Sequence, residues 1–127
     1  MNNYPLVSIM IPAYNQAEVL GTAIESALSQ DYPHLEVVVS DDCSTDETKA
    51  VLKKFETDTR LRYYRNTQNS GRVANYKKTL EQYVNGDWVV NLDGDDYFTD
   101  LSFISKAIQL IYKSDPGSIV FLQAGHT

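Results

Sequence analysis

Trp88-Val89-Val90-Asn91-Leu92-Asp93-Gly94-Asp95-Asp96 places three carboxylates within four residues, directly after an apolar run. The run reads as a strand covered on both faces, and the acids emerge together at its C-terminal end. Open α/β sheets bind their ligands at that end. Clustered carboxylates repel one another and gain most when a divalent cation sits between them. Hard oxygen ligands select Mg²⁺, Mn²⁺ or Ca²⁺. A cation held by two or three acids keeps open positions that phosphate oxygens can fill. The stretch therefore points to a metal-assisted site for a phosphorylated ligand, and its structural alternative is a solvated acidic turn.

Working outward from this strand, the chain alternates strands and helices. Val7–Ile11 reads as a strand ending at Pro12, and Val19, Leu20, Ala23, Ile24, Ala27 and Leu28 recur at helical spacing up to about Gln30. Leu35–Val39 is a second strand, ending at Asp41-Asp42. Ser44-Thr45-Asp46-Glu47 fits a capping box with Ser44 as N-cap, ahead of a helix that buries Val51, Leu52 and Phe55. Leu61–Tyr64 is a short third strand. After the polar loop from Asn66 to Gly71, the residues Val73, Tyr76, Leu80 and Tyr83 mark another helix face. Leu101, Ile104, Ile108 and Ile111 mark a helix behind the acids, with Asp100 as N-cap, and Ser118–Leu122 reads as a final strand. Such alternation implies an α/β fold: a mostly parallel, Rossmann-like open sheet with helices on both faces. In that sheet the ends carrying Pro12-Ala13-Tyr14-Asn15, Asp41-Asp42 and Asp93/Asp95/Asp96 share one edge and converge on one cleft.

Length and charge bound what the cleft can hold. The 127 residues suit one compact domain, and 43% hydrophobic residues imply a globular core. A net charge of −6 without a basic cluster disfavours nucleic acid, and no nucleic-acid partner is expected. An acidic protein still binds a nucleotide where a metal inverts the local charge. Cys43 is the only cysteine, so there is neither an internal disulfide nor a cysteine-based zinc site. The N-terminus lacks the pattern of a signal peptide, and no apolar run is long enough to span a membrane. These features fit a cytoplasmic location, including the inner face of a membrane for a membrane-proximal parent protein.

The series of motifs resembles the family 2 glycosyltransferases. Val7–Asn15 looks like the family's opening strand, and Ala27–Gln30 with Tyr32-Pro33 like its helix end and turn. Val39–Asp46 is similar to its second-strand motif, Asn69-Ser70-Gly71 with Asn75 to its central loop and helix, and Gly86–Asp96 to its metal-binding motif. The resemblance covers essentially the whole chain, in order. It implies a GT-A fold, truncated, in which residues 1–127 are the part that binds a nucleotide-diphosphate sugar. A UDP-sugar is favoured as donor, with a divalent cation, Mn²⁺ or Mg²⁺, as cofactor. It further implies transfer with inversion to an acceptor hydroxyl, of a glycan or lipid-linked acceptor. Residue by residue, Pro12 and Tyr14 match positions lining the nucleoside pocket, and Asp42 matches the acid that accepts a hydrogen bond from the base. Asp41 orients the loop. Asp93 and Asp95 face the nucleotide, Asp95 and Asp96 hold the metal, and Arg72 lies where the central loop approaches the nucleotide.

The chain departs from the family pattern in three places. Cys43 stands where glycine is usual. The loop from Gly71 to Asn75 is shorter and lacks an arginine beside the asparagine, and the chain is shorter than the family's catalytic domain. The acceptor-binding half and the general base are therefore not expected within these residues, and the chain alone is expected to be inactive. A phosphatase of the haloacid-dehalogenase type shares the Asp-x-Asp pattern of Asp93 and Asp95, but continues with Gly-Thr where this chain has Asp96-Tyr97. A phosphoacceptor receiver domain carries its acid pair after the first strand rather than the second. A module that binds nucleotide without catalysis is compatible with the same motifs.

Overall fold

The computed structural model describes residues 4–113, and the final strand expected at Ser118–Leu122 lies outside them. The elements follow as β1 (Val7–Ala13), α1 (Ala17–Leu28), β2 (Leu35–Asp41), α2 (Thr48–Lys53), β3 (Leu61–Arg65), α3 (Arg72–Lys78), a π turn (Thr79–Tyr83), β4 (Trp88–Asn91) and α4 (Phe103–Lys113). The four strands are all parallel and stand in the order β3-β2-β1-β4. This is the expected Rossmann-like open sheet.

Alternation along β1 and β2 separates two layers. Ile9, Ile11, Val37 and Val39 join Leu20, Ile24 and Ala27 of α1, Leu52 of α2, and Ile104, Ile108 and Ile111 of α4 in one apolar core. Ser8, Glu36 and Ser40 turn to the opposite face, which α3 and the π turn cover. Helices therefore lie on both faces, as parallel strands require.

Several expectations need correction. α1 ends at Leu28, because Gln30 is needed elsewhere: its amide donates to the Asp100 carbonyl at 2.9 Å and accepts the Ile104 N–H at 3.0 Å. Gln30 thus satisfies the start of α4, while the Asp100 carboxylate accepts the Ser102 N–H ahead of it at 2.9 Å and pairs with Lys106 Nζ at 2.7 Å. The capping box at Ser44 does not form. α2 begins at Thr48, and Asp46 accepts the Thr48 N–H at 3.0 Å, while Ser44 is drawn to Asp41. The apolar stripe expected on α3 faces outward, with Val73, Tyr76 and Leu80 exposed by 81%, 42% and 41%. The buried side of α3 and the π turn is Asn75 and Thr79. Its polarity matches what lies beneath: Thr79 donates its hydroxyl to Ser40 Oγ at 2.6 Å, and Asn75 Nδ2 donates to the Ser40 carbonyl at 3.1 Å. Finally, Trp88 and Val89 are partly exposed rather than covered on both faces, because among the described residues β4 pairs only with β1 and forms an edge.

A charged network ties the N-terminal halves of the strands to the segment after the π turn. Glu36 is nearly buried and accepts bonds from Ser8 Oγ at 2.5 Å, the Asn85 N–H at 2.7 Å and Arg62 at 2.7 Å. Arg62 also donates to the Tyr83 carbonyl at 2.9 Å and to the Tyr64 hydroxyl at 2.5 Å. Tyr64 and Tyr83 stack with ring centroids 3.9 Å apart, so the π turn places both the carbonyl and the ring of Tyr83 against β3. Burial works to raise the Glu36 pKa. The hydrogen bonds from Ser8, Asn85 and Arg62, with the charge of Arg62, outweigh it and hold the carboxyl below the ordinary glutamate range.

Removing the acceptor leaves Arg62 without its counter-charge and the Asn85 N–H without a partner. Glu36→Ala is therefore expected to lower unfolding free energy by about 2–4 kcal/mol in urea denaturation at pH 7. Because the folded pKa is depressed, the carboxylate's contribution is present above the unfolded value of about 4.3 and is lost as pH falls through the folded value. Wild-type stability should drop more steeply than that of Glu36→Gln below about pH 4.3. Parallel pH profiles for the two proteins would contradict this account of the network.

Candidate functional site

The C-terminal ends of β1, β2 and β4 open onto one cleft of about 410 Å³. Pro12, Tyr14, Asp42, Arg72, Asp93 and Asp95, all singled out from the sequence, line it together. Asp96 is not part of that lining and sits beside it in the acid turn. The lining also includes Gln16, Asn69, Gly71, Asn75 and Tyr76.

Two left-handed residues shape the floor. Asn15 has φ 50° and Cys43 φ 63°, so the loops after β1 and β2 both turn sharply. They are cross-linked: Ser44 Oγ accepts the Asn15 N–H at 2.9 Å, and Asn15 Oδ1 accepts the Thr45 N–H at 2.8 Å. The Asp42 N–H adds a bond to the Ala13 carbonyl at 2.9 Å. Asp41 holds this corner from below, accepting the Ser44 hydroxyl and pairing with Arg65 Nε at 3.4 Å. Its place is that of the loop-orienting acid expected from the sequence. Cys43 keeps the backbone that a glycine would adopt there, at the expense of its own Cβ.

Asp42 organises the wall. It is almost fully buried, and its Oδ1 accepts Asn66 Nδ2, the Ser70 N–H and the Ser70 hydroxyl, each at 2.8 Å. Its Oδ2 accepts the Gly71 N–H at 2.9 Å. Burial works to raise its pKa, but these bonds from Ser70, Asn66 and Gly71 prevail and lower it. Gly71 has φ 93°, open to glycine and strained for other residues, and this conformation aims its N–H at the carboxylate. A polar seam continues inward. Asn66 Nδ2 also donates to Asn75 Oδ1 at 3.0 Å, and Lys78 Nζ donates to Asn66 Oδ1 at 3.2 Å. The segment from Gly71 to Asn75, read as a loop from the sequence, is helical from Arg72 on and is fastened at both ends.

The opposite wall is the acid turn. One carboxylate oxygen from each of Asp93, Asp95 and Asp96 lies within 4.8 Å of the others, and the Asp96 N–H closes the turn on the Asp93 carbonyl at 2.9 Å. Three hard, anionic oxygens held this close fit a divalent cation with positions left over for phosphate oxygens. Arg72 approaches Asp93 at 3.6 Å, but its side chain is 87% exposed. Such a pair is worth at most about 1 kcal/mol, and the guanidinium stays available to a ligand.

Sequence reasoning did not single out Gln16, Ser40, Asn66 or Thr79. The signal for three of them was a polar residue at an otherwise apolar position: Ser40 ends an apolar strand, Thr79 interrupts a helical stripe, and Asn66 follows β3 directly. Gln16 carried no such signal.

The chain matches the model of the family described as Glycosyl transferase family 2 over residues 8–126. It is 37% identical over 93 residues to the Escherichia coli UDP-Glc:alpha-D-GlcNAc-diphosphoundecaprenol beta-1,3-glucosyltransferase WfaP, covering 73% of this chain and 36% of that protein. Its fold superposes on S. aureus TarS 1-349 in complex with UDP-GlcNAc with a TM-score of 0.78 and 31% identity, covering 85% of this chain and 31% of that one. It also superposes on the mannosyltransferase PcManGT from Pyrobaculum calidifontis in complex with GDP-Man and Mn²⁺ with a TM-score of 0.79 and 28% identity, covering 90% and 34%. The chain spans about a third of the length of these three proteins. The similarities favour neither a phosphatase nor a receiver domain.

The geometry of the floor and wall makes two stability predictions. A left-handed backbone costs a residue with a Cβ roughly 1–2 kcal/mol, and glycine's extra unfolded-state entropy returns roughly 0.5–1 kcal/mol of that. Cys43→Gly should therefore stabilise the fold by up to about 1 kcal/mol in urea denaturation, and a destabilised variant would contradict the assignment of strain. Asp42→Ala deprives the Ser70 and Gly71 N–H groups of their acceptor and the Asn66 amide of one of its acceptors, and should cost about 2–4 kcal/mol. A change below about 0.5 kcal/mol would show that the loop does not depend on it.

Proposed function

This chain belongs to glycosyl transferase family 2, and from that premise we propose that its cleft binds a nucleotide-diphosphate sugar for transfer, with inversion, to an acceptor hydroxyl. The observation that carries the proposal is the convergence of Tyr14, Asp42, Arg72, Asp93 and Asp95 on one cleft. The complexes of TarS with UDP-GlcNAc and of PcManGT with GDP-Man and Mn²⁺ lend it support.

In this reading Pro12 and the exposed ring of Tyr14 form the base-stacking surface, since an aromatic face suits a planar base. Asp42 accepts the ring N–H of the base. Its Oδ1 is already occupied by three donors, whereas Oδ2 takes one. A single remaining acceptor site fits the one ring N–H of uracil better than the paired donors of guanine, which favours UDP. Arg72, with its exposed guanidinium, faces the nucleotide, and Asp93 and Asp95 orient its ribose and phosphate portion. Asp95 and Asp96 would hold Mn²⁺ or Mg²⁺, which when bound neutralises charge developing on the diphosphate leaving group.

We assign the chain to the donor side of the reaction. The carboxylates at the cleft all have donor-side roles, so the group that deprotonates the acceptor is not among them. We further assign the activity to the cytoplasm or the inner membrane face, with a glycan or lipid-linked acceptor. Among the described residues no helix is long and apolar enough to cross a membrane.

Thermal or urea unfolding in the presence of nucleotide tests the proposal. UDP with Mn²⁺ at about a hundred times its dissociation constant should stabilise the fold by ~2.7 kcal/mol, and GDP should stabilise it less. Asp95→Ala or Asp96→Ala should remove the Mn²⁺-dependent part. Equal stabilisation by UDP in EDTA would eliminate the metal role, and no stabilisation by either nucleotide would eliminate the donor site.

A further inference from the structure

Gln16 lies in the loop between β1 and α1 and lines the cleft between Tyr14 and the acid turn. Its backbone carbonyl starts α1 by accepting the Val19 and Leu20 N–H groups, at 3.0 and 2.8 Å. Its side-chain amide has no hydrogen-bond partner among the described residues, in a loop whose other polar groups are closely paired. The amide is held by packing instead. A Cβ placed on Gly94 would come within 2.3 Å of Gln16 Oε1 and 3.0 Å of its Cδ, with Ala13 Cβ at 3.6 Å. Gln16 therefore rests directly on the glycine between Asp93 and Asp95, in space that a side chain at that position would take. Its oxygen is the end against Gly94, which leaves the NH₂ group for a ligand.

The other amides lining the cleft are already engaged. Asn75 Nδ2 donates to Ser40, and Asn69 Nδ2 donates to the Asp42 carbonyl. Arg72 leans toward Asp93. On the side of the acid turn, the carboxylates repel phosphate and sugar oxygens unless a cation intervenes. A neutral amide there supplies an N–H donor without adding charge.

We infer that Gln16 is a donor-binding residue whose Nε2 donates a hydrogen bond to an oxygen of the ribose–diphosphate portion of the nucleotide, and that glycine at position 94 is what gives it room to do so. The inference rests on the proposed nucleotide site. It makes Gln16 and Gly94 a functional pair: enlarging residue 94 displaces the amide and removes the same bond that truncating residue 16 removes.

The test is isothermal titration of UDP in the presence of Mn²⁺ into wild type, Gln16→Ala, Gln16→Glu, Gly94→Ala and the Gln16→Ala/Gly94→Ala double variant, with unfolding of each ligand-free protein measured alongside. Gln16→Ala should weaken UDP about fivefold to tenfold, the worth of one hydrogen bond, while its ligand-free stability stays near wild type. Gln16→Glu keeps the shape, adds a negative charge beside the phosphates and should weaken UDP more than Gln16→Ala does. Gly94→Ala should reproduce the Gln16→Ala loss, and the double variant should lose no more than either single one, the non-additivity expected of residues acting through one contact. UDP binding by Gln16→Ala at wild-type affinity would overturn the inference, as would additive losses in the double variant. Failure of the wild type itself to bind UDP would instead bring down the nucleotide site on which the inference stands.

Discussion

The buried carboxylate of Asp42 is the constraint on which the cleft depends. A charge taken out of water must be met by donors, and Asp42 meets four of them. All four come from the segment Asn66–Gly71, which is thereby folded over the end of β2 and fixes where α3 begins. Satisfying the acid and building one wall of the cleft are therefore a single event. The same arithmetic leaves the acid's remaining acceptor capacity chiefly on Oδ2.

From that wall the polarity spreads inward. Asn66 passes the network to Asn75, and Asn75 with Thr79 covers Ser40. α3 consequently buries a polar face against an otherwise apolar sheet and leaves Val73, Tyr76 and Leu80 outside. Elsewhere the sheet is held by ordinary apolar burial on the side of α1, α2 and α4. The two faces thus serve different ends: one carries the core, and the other carries the groups that position loops.

The two loops at the floor show how backbone strain is tolerated where neighbouring contacts over-determine it. Cys43 sits in a left-handed conformation between Asp42, bound to the wall, and Ser44, bound to both Asp41 and Asn15. Opposite them the acid turn gathers Asp93, Asp95 and Asp96 within one ion's reach. Concentrated negative charge there faces a wall whose own carboxylate is already satisfied, so the uncompensated charge of the cleft is gathered at the acid turn. Membership of glycosyl transferase family 2 accords with that arrangement.

The strand-and-helix order, the parallel sheet, the ligand edge and the identity of the acid turn were determined by the sequence itself. They follow from periodicity and from short motifs whose residues are adjacent in the chain. The convergence of Tyr14, Asp42 and Asp95 was legible too, because strand ends in a parallel sheet share one edge whatever the details of packing. What only the tertiary structure decided depends on partners far away in sequence. Asn66 and Ser70 meet Asp42 across 24 and 28 residues, and Gln30 meets Ile104 across 74. The stripe Val73, Tyr76 and Leu80 has the right spacing for a buried helix face, yet the polar end of β2 selects Asn75 and Thr79 instead. Ser44 has the right spacing for a capping box, yet the buried Asp41 takes its hydroxyl. Local patterns state what a segment is able to bury or cap. The surface it meets decides which of those options satisfies the most buried polar groups, and that surface exists only once the sheet has formed.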